Sequence, residues 1–392
     1  GRRPCSRPSI SWQAERVEHN ERNRGPPLVH GMEDYMRNSF FALLFWWAAA
    51  LSGTTYQLIE LPALGGSSTV QTRAYGMNEG ASGLEGPEFV AGTSGSRAVR
   101  WTVTTSGAGA PMDVGLLGSY TSATAYGVNN FGHVVGMMAN EQQAFIWRSG
   151  TSPQLQAIPA VAPARCLVAY DINYADMVVG AYTKNGTFPR WAFSWTPAGS
   201  LTLYQGQRTG PIGSSAFAVS DGGIVVGEGE VNTSGSSVPN AQQVYGWPIP
   251  GLIGALPNPE GIGTGRALGI NDHYQIVGES EGMAFIWNVS ASESPTAPGG
   301  LLDLGPGAAR DINNAGTIVG HAPNTSGGNF AFVKEPWDVR RDLNSLTAIP
   351  AGSGWYLSEA RAINDKGWIA GIGCRLVGAL RVTRAFVLIP QF

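Results

Sequence analysis

Few residues in this chain stand at spacings that suggest bond-making chemistry. Beyond residue 52 there are three histidines, His133, His273 and His321, and none belongs to a His-Glu-x-x-His or Cys-x-x-Cys pattern. Zinc and phosphate-loop chemistry both need such clustered signatures, so neither is indicated. A single Gly-x-Ser-x-Gly match runs Gly278-Glu279-Ser280-Glu281-Gly282. A nucleophile elbow hands its serine from a strand to a helix beside an oxyanion hole. Two glutamates flanking Ser280 would oppose a developing oxyanion, so the match is read as incidental. Asp171 and Asp311 occupy equivalent places in a repeat and are carboxylates that could meet near an axis. Paired carboxylates perform glycoside chemistry, yet structural hydrogen bonding is the favoured role for these two. No catalytic residue is assigned, and neither a cofactor nor a metal is expected.

Binding chemistry has better candidates. Exposed aromatic rings stack on sugars or anchor protein partners. Trp191, Trp355 and Tyr356 lie in segments read as loop-proximal, and they are the candidate ligand-binding residues.

These residues are positioned by a repeat. The phrase Ala-x-x-(Ile/Val/Met)-Asn, a turn, (Ile/Val)-Val-Gly, then Ala-Phe-x-Trp recurs about every 48 residues, starting at Ala74, Ala125, Ala169, Ala216, Ala267, Ala309 and Ala360. Its Asn is Asn78, Asn129, Asn173, Asn271, Asn313 and Asn364, with Ser220 in its place in the fourth copy. A fixed period of this length means one supersecondary unit stacked on itself. Each copy reads as four strands. Strand a is Ala-x-x-Ile-Asn, strand b the Val-Gly stretch, strand c the Ala-Phe-x-Trp stretch and strand d a Leu-rich run such as Leu301–Gly305. No copy keeps a helical period over three turns, so the expectation is all-β. Four short strands per unit point to blades.

The ends of the repeat region carry a matching surplus and deficit. Tyr56–Leu61 has the strand-d pattern with no a, b or c before it, while Ala385–Leu388 is a strand c with no d after it. The expected fold is therefore a seven-bladed β-propeller over 53–392, closed by the N-terminal strand completing the last blade. In this fold the small Ala and Gly answer crowding at the inner strands. Phe and Trp of strand c, two apart on one face, pack between blades. Trp101, Trp147, Trp195, Trp247 and Trp287 fill that slot, which Lys334 and Leu388 take in the last two copies. The repeated Asn is read as a turn former, since a turn such as Asn129-Asn130-Phe131-Gly132 has too little negative charge for calcium.

Composition narrows the class. Glycine is abundant at 54 residues and charged residues are scarce at 14%, while 43% hydrophobic content with 12 Trp can fill a large core. Net charge is −3, and beyond residue 52 there are 18 basic against 23 acidic groups. A mildly acidic body argues against nucleic acid, whose binding rests on Lys and Arg. Met36-Arg37-Asn38, the apolar run Phe40–Leu51 and the small residues around Ala48–Gly53 have the order of a secretory signal peptide, 36–52. The apolar run is short for a membrane span. Residues 1–35 read as a polar leader, non-native or disordered. The expected product is secreted, extracellular or surface-located, monomeric and without stable membrane insertion after cleavage. Cys166 and Cys374 fall in distant copies and are expected to stay unpaired.

The Ala-x-x-Ile-Asn…Val-Gly…Ala-Phe-x-Trp unit over 56–390 resembles the HAF repeat of bacterial extracellular repeat proteins. The resemblance implies an exported bacterial protein and supplies no catalytic residues. This chain departs from it at the naming histidine, where Gln143, Trp191, Met283, Phe330 and Arg384 stand. The functional expectation is a non-catalytic binding or adhesion module for a surface glycan or protein. Its alternatives are a structural matrix protein and, behind that, a polysaccharide hydrolase or lyase. The face carrying the b–c and d–a loops is the expected working face, with long b–c loops at 228–243, 321–329 and 372–383.

Overall fold

The computed structural model describes residues 54–80, 87–139, 141–159, 165–183, 190–199, 201–204, 213–231, 241–247, 254–255, 265–288 and 301–391, without side chains at 230–231, 241–247, 254–255 and 301. The expected leader and signal segment, and most of loop 228–243, lie outside them. Among the described residues the chain is strand and loop, apart from a four-residue helix, Leu343–Leu346, and a 3-10 turn at Leu64–Gly66. The strands form six four-stranded antiparallel sheets and one sheet of five strands. The architecture is an all-β propeller. No described helix is long and apolar enough to cross a membrane.

The inner strand of each sheet is the Ala-x-x-Ile-Asn stretch: Thr72–Met77, Ala123–Val128, Arg165–Ile172, Ser214–Val219, Gly265–Ile270, Ala308–Ile312 and Tyr356–Ile363. Each lies beside the inner strand of the next sheet, and Tyr356–Ile363 lies beside Thr72–Met77. The strand Thr55–Glu60 pairs antiparallel with Leu380–Gln391, Leu58 opposite Leu388. Buried Arg384 ties the same region together, lying 3.2 Å from Glu60 and donating to the carbonyls of Val70 (2.7 Å) and Ser68. Trp101 adds a further bond, its indole donating to Pro62 O at 2.8 Å.

The repeated Ala and Gly have one shared cause. They face each other in every sheet, as in Ala125 opposite Gly136, Ala267 opposite Gly278 and Ala360 opposite Gly371, and in each case the pairing skips the next inner-strand residue. The same skip follows Ala74, Ala169, Ala216 and Ala309. This is a β-bulge, which sets two residues of one strand against one of its neighbour and re-aims a side chain. The bulge drops the carbonyl before Ala onto the facing glycine. A Cβ at Gly136 would overlap Thr124 O, and one at Gly278 would overlap Arg266 O. Here glycine is required for space, not for a left-handed backbone.

Strand c fills the gaps between sheets. Phe145 with Trp147, Phe193 with Trp195 and Phe285 with Trp287 are buried pairs, each packed against inner-strand residues. Trp101 is fully buried, as is Leu388 in the last copy, while the side chain of Trp247 lies outside the described set. Trp337, by contrast, is 95% exposed on the loop after Asn329–Lys334.

One reading changes. The segment 372–383 is not a loop, because Ile369–Val377 and Leu380–Gln391 run on as one long hairpin turning at Gly378. Continuous cross-strand pairing from Ile372 opposite Ala385 to Val377 opposite Leu380 satisfies its backbone. The Gly278–Gly282 motif lies in a tight hairpin: Ser280 is buried in a strand and pairs with Met283, with Glu281 and Gly282 at positive φ between them. No helix follows, so no elbow exists. Cys166 and Cys374 are both free, and burial pushes the Cys166 thiol up to about 12.

Candidate functional site

The inner strands define an axis with two different mouths. At the a–b turn end the repeated Asn does two jobs. Asn313 Oδ1 accepts from Thr317 N–H at 2.9 Å, shaping its own turn, while Nδ2 donates to Asn364 O of the next repeat at 3.0 Å. Asn129, Asn173 and Asn271 reach the next repeat's carbonyl in the same way. Ser220 Oγ accepts from Ile224 N–H at 3.1 Å but has no second arm for the next repeat. The residue after Asn forms a second ladder. Asp221 Oδ1 accepts from Tyr174 N–H, Asp272 Oδ1 from Asp221 N–H, and Asp365 Oδ1 from Asn314 N–H. Asp171 and Asp311 each hold their own strand and the next, through Ile172 and Val219 N–H and through Ile312 and Ile363 N–H.

This mouth is therefore acidic for structural reasons. Burial, then neighbouring carboxylates, pushes Glu79 up to about 9. Burial against two opposing backbone donors leaves Asp171 at about 6 and Asp311 at about 7. Carboxylate oxygens of Glu79, Asp221 and Asp272 lie within 4.8 Å of one another, a set that could hold a cation. Reading one turn at a time hides this, because the three groups come from different repeats. The cavity measures about 80 Å³, room for a few waters and too small for a sugar ring.

The opposite mouth, on the b–c and d–a side, is a cup of about 380 Å³. Its wall is the set of residues that the bulges eject. Tyr75, Tyr126, Tyr170 and Phe217 form one arc, and Leu268, Arg310 and Arg361 complete the circle. All seven are half-buried, while the Ala before each is fully buried. The aromatic arc is continuous, with ring centroids 5.3, 5.5 and 5.0 Å apart and the rings tilted. Arg361 closes the seam with its guanidinium 5.4 Å over the Tyr75 ring. Arg190, Glu228 and Arg266 add a polar rim.

Charge in the cup is arranged with cations forward. Arg310 Nε lies 2.8 Å from Glu359 and Arg361 Nη2 2.9 Å from the same carboxylate, with His321 Nδ1 at 3.4 Å. Burial would raise Glu359, but His321 and the two guanidiniums win and hold it down at about 2. Arg266 pairs with Glu228 at 3.0 Å and Arg190 with Glu141. Burial pushes the Tyr126 hydroxyl up to about 12 and raises Tyr170 as well, so these phenols stay protonated and can donate a hydrogen bond but not act as bases.

The three aromatic candidates lie on this face but outside the cup. Trp191, at the start of a strand c, pairs with Tyr182 and packs on the cluster around Cys166 and Phe193. Trp355 packs against the cluster of Leu357 and Phe386, next to Gly373, where a Cβ would come within 3.2 Å of its ring. Tyr356 Oη accepts from Asn324 Nδ2 at 2.8 Å. Tyr356 begins the inner strand of the last sheet, Trp355 directly precedes it and Trp191 belongs to the third, and all three are half-buried. The cup residues escaped sequence reading because they occupy the x after Ala, a position that the repeated phrase leaves open. That variability inside an otherwise constant phrase was the available signal.

No family model matches the chain, and no curated protein matches it. Solved structures do resemble it. Virginiamycin B lyase from Staphylococcus aureus superposes with a TM-score of 0.48 at 10% identity, covering 86% of this chain and 99% of that one. YCF48 bound to D1 peptide gives 0.46 at 11% identity, covering 87% and 97%. A putative gluconolactonase gives 0.41 at 13% identity, covering 87% and 93%. At such identities and scores these likenesses say nothing about what the cup binds.

Proposed function

We propose that this chain is a seven-bladed propeller, closed by Thr55–Glu60 completing the last blade, and that it acts as a non-catalytic binding module for a surface glycan. Its export, and its place among HAF-repeat proteins of bacteria, belong to the same proposal. One observation carries the binding role: seven bulges present seven side chains of four kinds, Tyr, Phe, Leu and Arg, to a single cup of about 380 Å³, within the size range of ligand pockets. A purely structural ring has no need to vary the side chain that each bulge ejects. A glycosidase reading is disfavoured, because the carboxylates that do cluster sit at the narrow mouth, where Asp221, Asp272 and Asp365 accept neighbouring backbone N–H groups. The test is an array of glycans and cell-wall polymers probed with the purified chain. Saturable binding that is weakened by Tyr126→Ala is the expected result. A blank array from folded protein overturns the glycan role.

A further inference from the structure

We propose, on the reading that the cup is the binding site, that its ligand is a sugar unit carrying a carboxylate, of the uronic acid class, in preference to a neutral hexose. The two arcs of the cup ask for two different things. Tyr75, Tyr126 and Tyr170 line the cup with aromatic surface of the kind that packs on the C–H side of a pyranose. Their hydroxyls are also available to sugar hydroxyls: Tyr126 Oη meets only Met137 Sδ, at 3.9 Å, and those of Tyr75 and Tyr170 make no hydrogen bond among the described residues. The arginine arc asks for an anion. Arg310 and Arg361 share the carboxylate of Glu359, and the further carboxylate that acts on Arg310, Glu279, also lies 3.9 Å from Arg266. Arg361 Nε is buried with no hydrogen-bond partner among the described residues. A guanidinium offers five donors in a fixed fork and takes a carboxylate bidentately. Three other carboxylates, Glu228, Glu279 and Glu141, lie against Arg266 and Arg190, which limits their repulsion of an incoming anion. A carboxylated ring lying across the cup satisfies both arcs at once, stacking on one side and forming charge-assisted bonds on the other.

The test is isothermal titration of the full chain with trimers of galacturonate, mannuronate and glucuronate, each beside its carboxyl-reduced counterpart, with benzoate as a non-sugar ring acid. Saturable binding of at least one uronate trimer is expected, at least tenfold weaker after carboxyl reduction and weakening as salt rises. Carboxyl reduction alters the ligand alone, so this arm does not depend on any variant folding. Arg361→Gln is expected to lose at least tenfold in affinity, and Arg361→Lys, which keeps the charge beside Glu359, an intermediate amount. Equal affinity for reduced and acidic trimers overturns the acidic-sugar proposal and leaves the glycan role standing. Benzoate binding as tightly as the uronates overturns the sugar part. Uronate binding unchanged in Arg361→Gln places the site elsewhere and overturns the proposal. Failure to bind any trimer here, together with a blank glycan array, overturns both.

Discussion

The two mouths of the axis are built from the same strands by opposite rules. At the turn mouth nearly every polar side chain is committed to a neighbouring repeat, Asn to the next carbonyl and Asp to the adjacent N–H. Identical residues recur there because identical bonds must be made around the circle. At the cup, the backbone is held by the Ala–Gly pair and its bulge, and the ejected side chain owes nothing to the ladder. It is therefore free to differ, and it does, from Tyr75 to Leu268 to Arg361. Repetition marks the scaffold, and its local failure marks the place where binding chemistry can be written.

Substitutions at the two kinds of position should separate sharply. The largest effect is expected from Gly278→Val, since its side chain must overlap Arg266 O and crowd the Phe285 ring. A loss of about 3 kcal/mol or more in chemical denaturation follows from such overpacking. Tolerance of valine there would dissolve the bulge argument. Asn313→Ala removes one turn bond and one bond to the next repeat, for about 2 kcal/mol at roughly 1 kcal/mol per bond. A cost near zero would mean that the turn ladder is incidental.

Acidity gives a third contrast. The folded pKa values of Asp171, Asp311 and Glu79, about 6, 7 and 9, lie above their ordinary values of 3.8 and 4.5. Raised carboxylates bind protons more tightly when folded, so the stability they carry is complete below about pH 4 and is lost as pH rises through 6, 7 and 9. Glu359, held at about 2, has the opposite sign and loses its contribution only as pH falls from 4.5 through 2. The melting temperature should therefore fall by several degrees from pH 5 to pH 9, and Glu79→Gln should flatten the upper part of that curve. A melting temperature that rises over this range would reverse the assignment.

Two smaller effects sharpen the comparison. Tyr274 sits at φ +59 where Gly132, Gly316 and Gly367 serve the equivalent turns. Tyr274→Gly should stabilise the chain by about 1 kcal/mol, the cost of a left-handed non-glycine residue. Leu268→Ala in the cup wall should change stability by less than about 1 kcal/mol, because that residue is half-exposed and outside the ladder. A loss as large as that of Asn313→Ala would make Leu268 part of the scaffold after all.

Much of the architecture was legible because it rests on local, repeated signals. The period, the Asn turns and the Phe and Trp of strand c can be read residue by residue, and the buried pairs Phe145–Trp147 and Phe285–Trp287 follow from alternation along a strand. The cup was not legible. Trp191, Trp355 and Tyr356 stood out as large aromatics near loops; the two tryptophans lie against hydrophobic clusters, because a tryptophan beside a core is drawn into it, and the Tyr356 hydroxyl bonds Asn324. The cup residues looked unremarkable in line, being one Tyr, Phe, Leu or Arg in each copy. The predicted loop at 372–383 failed for a related reason: a glycine-rich stretch such as Gly371–Gly378 fits a long hairpin as well as a loop.

Local order along the chain, set by alternation, turn chemistry and repetition, was enough to specify an all-β repeat protein with small residues at its inner strands. Only the tertiary structure decided where the bulge falls, since a skipped residue shows in pairing between strands and not in any one of them. Only the circular arrangement brought Tyr75, Phe217 and Arg361, 286 positions apart in sequence at the extremes, to a single cup, and carboxylates of separate turns to the other mouth. Side chains that meet across an axis share no local signal, because what joins them is the closure of the sheets and not the spacing of residues.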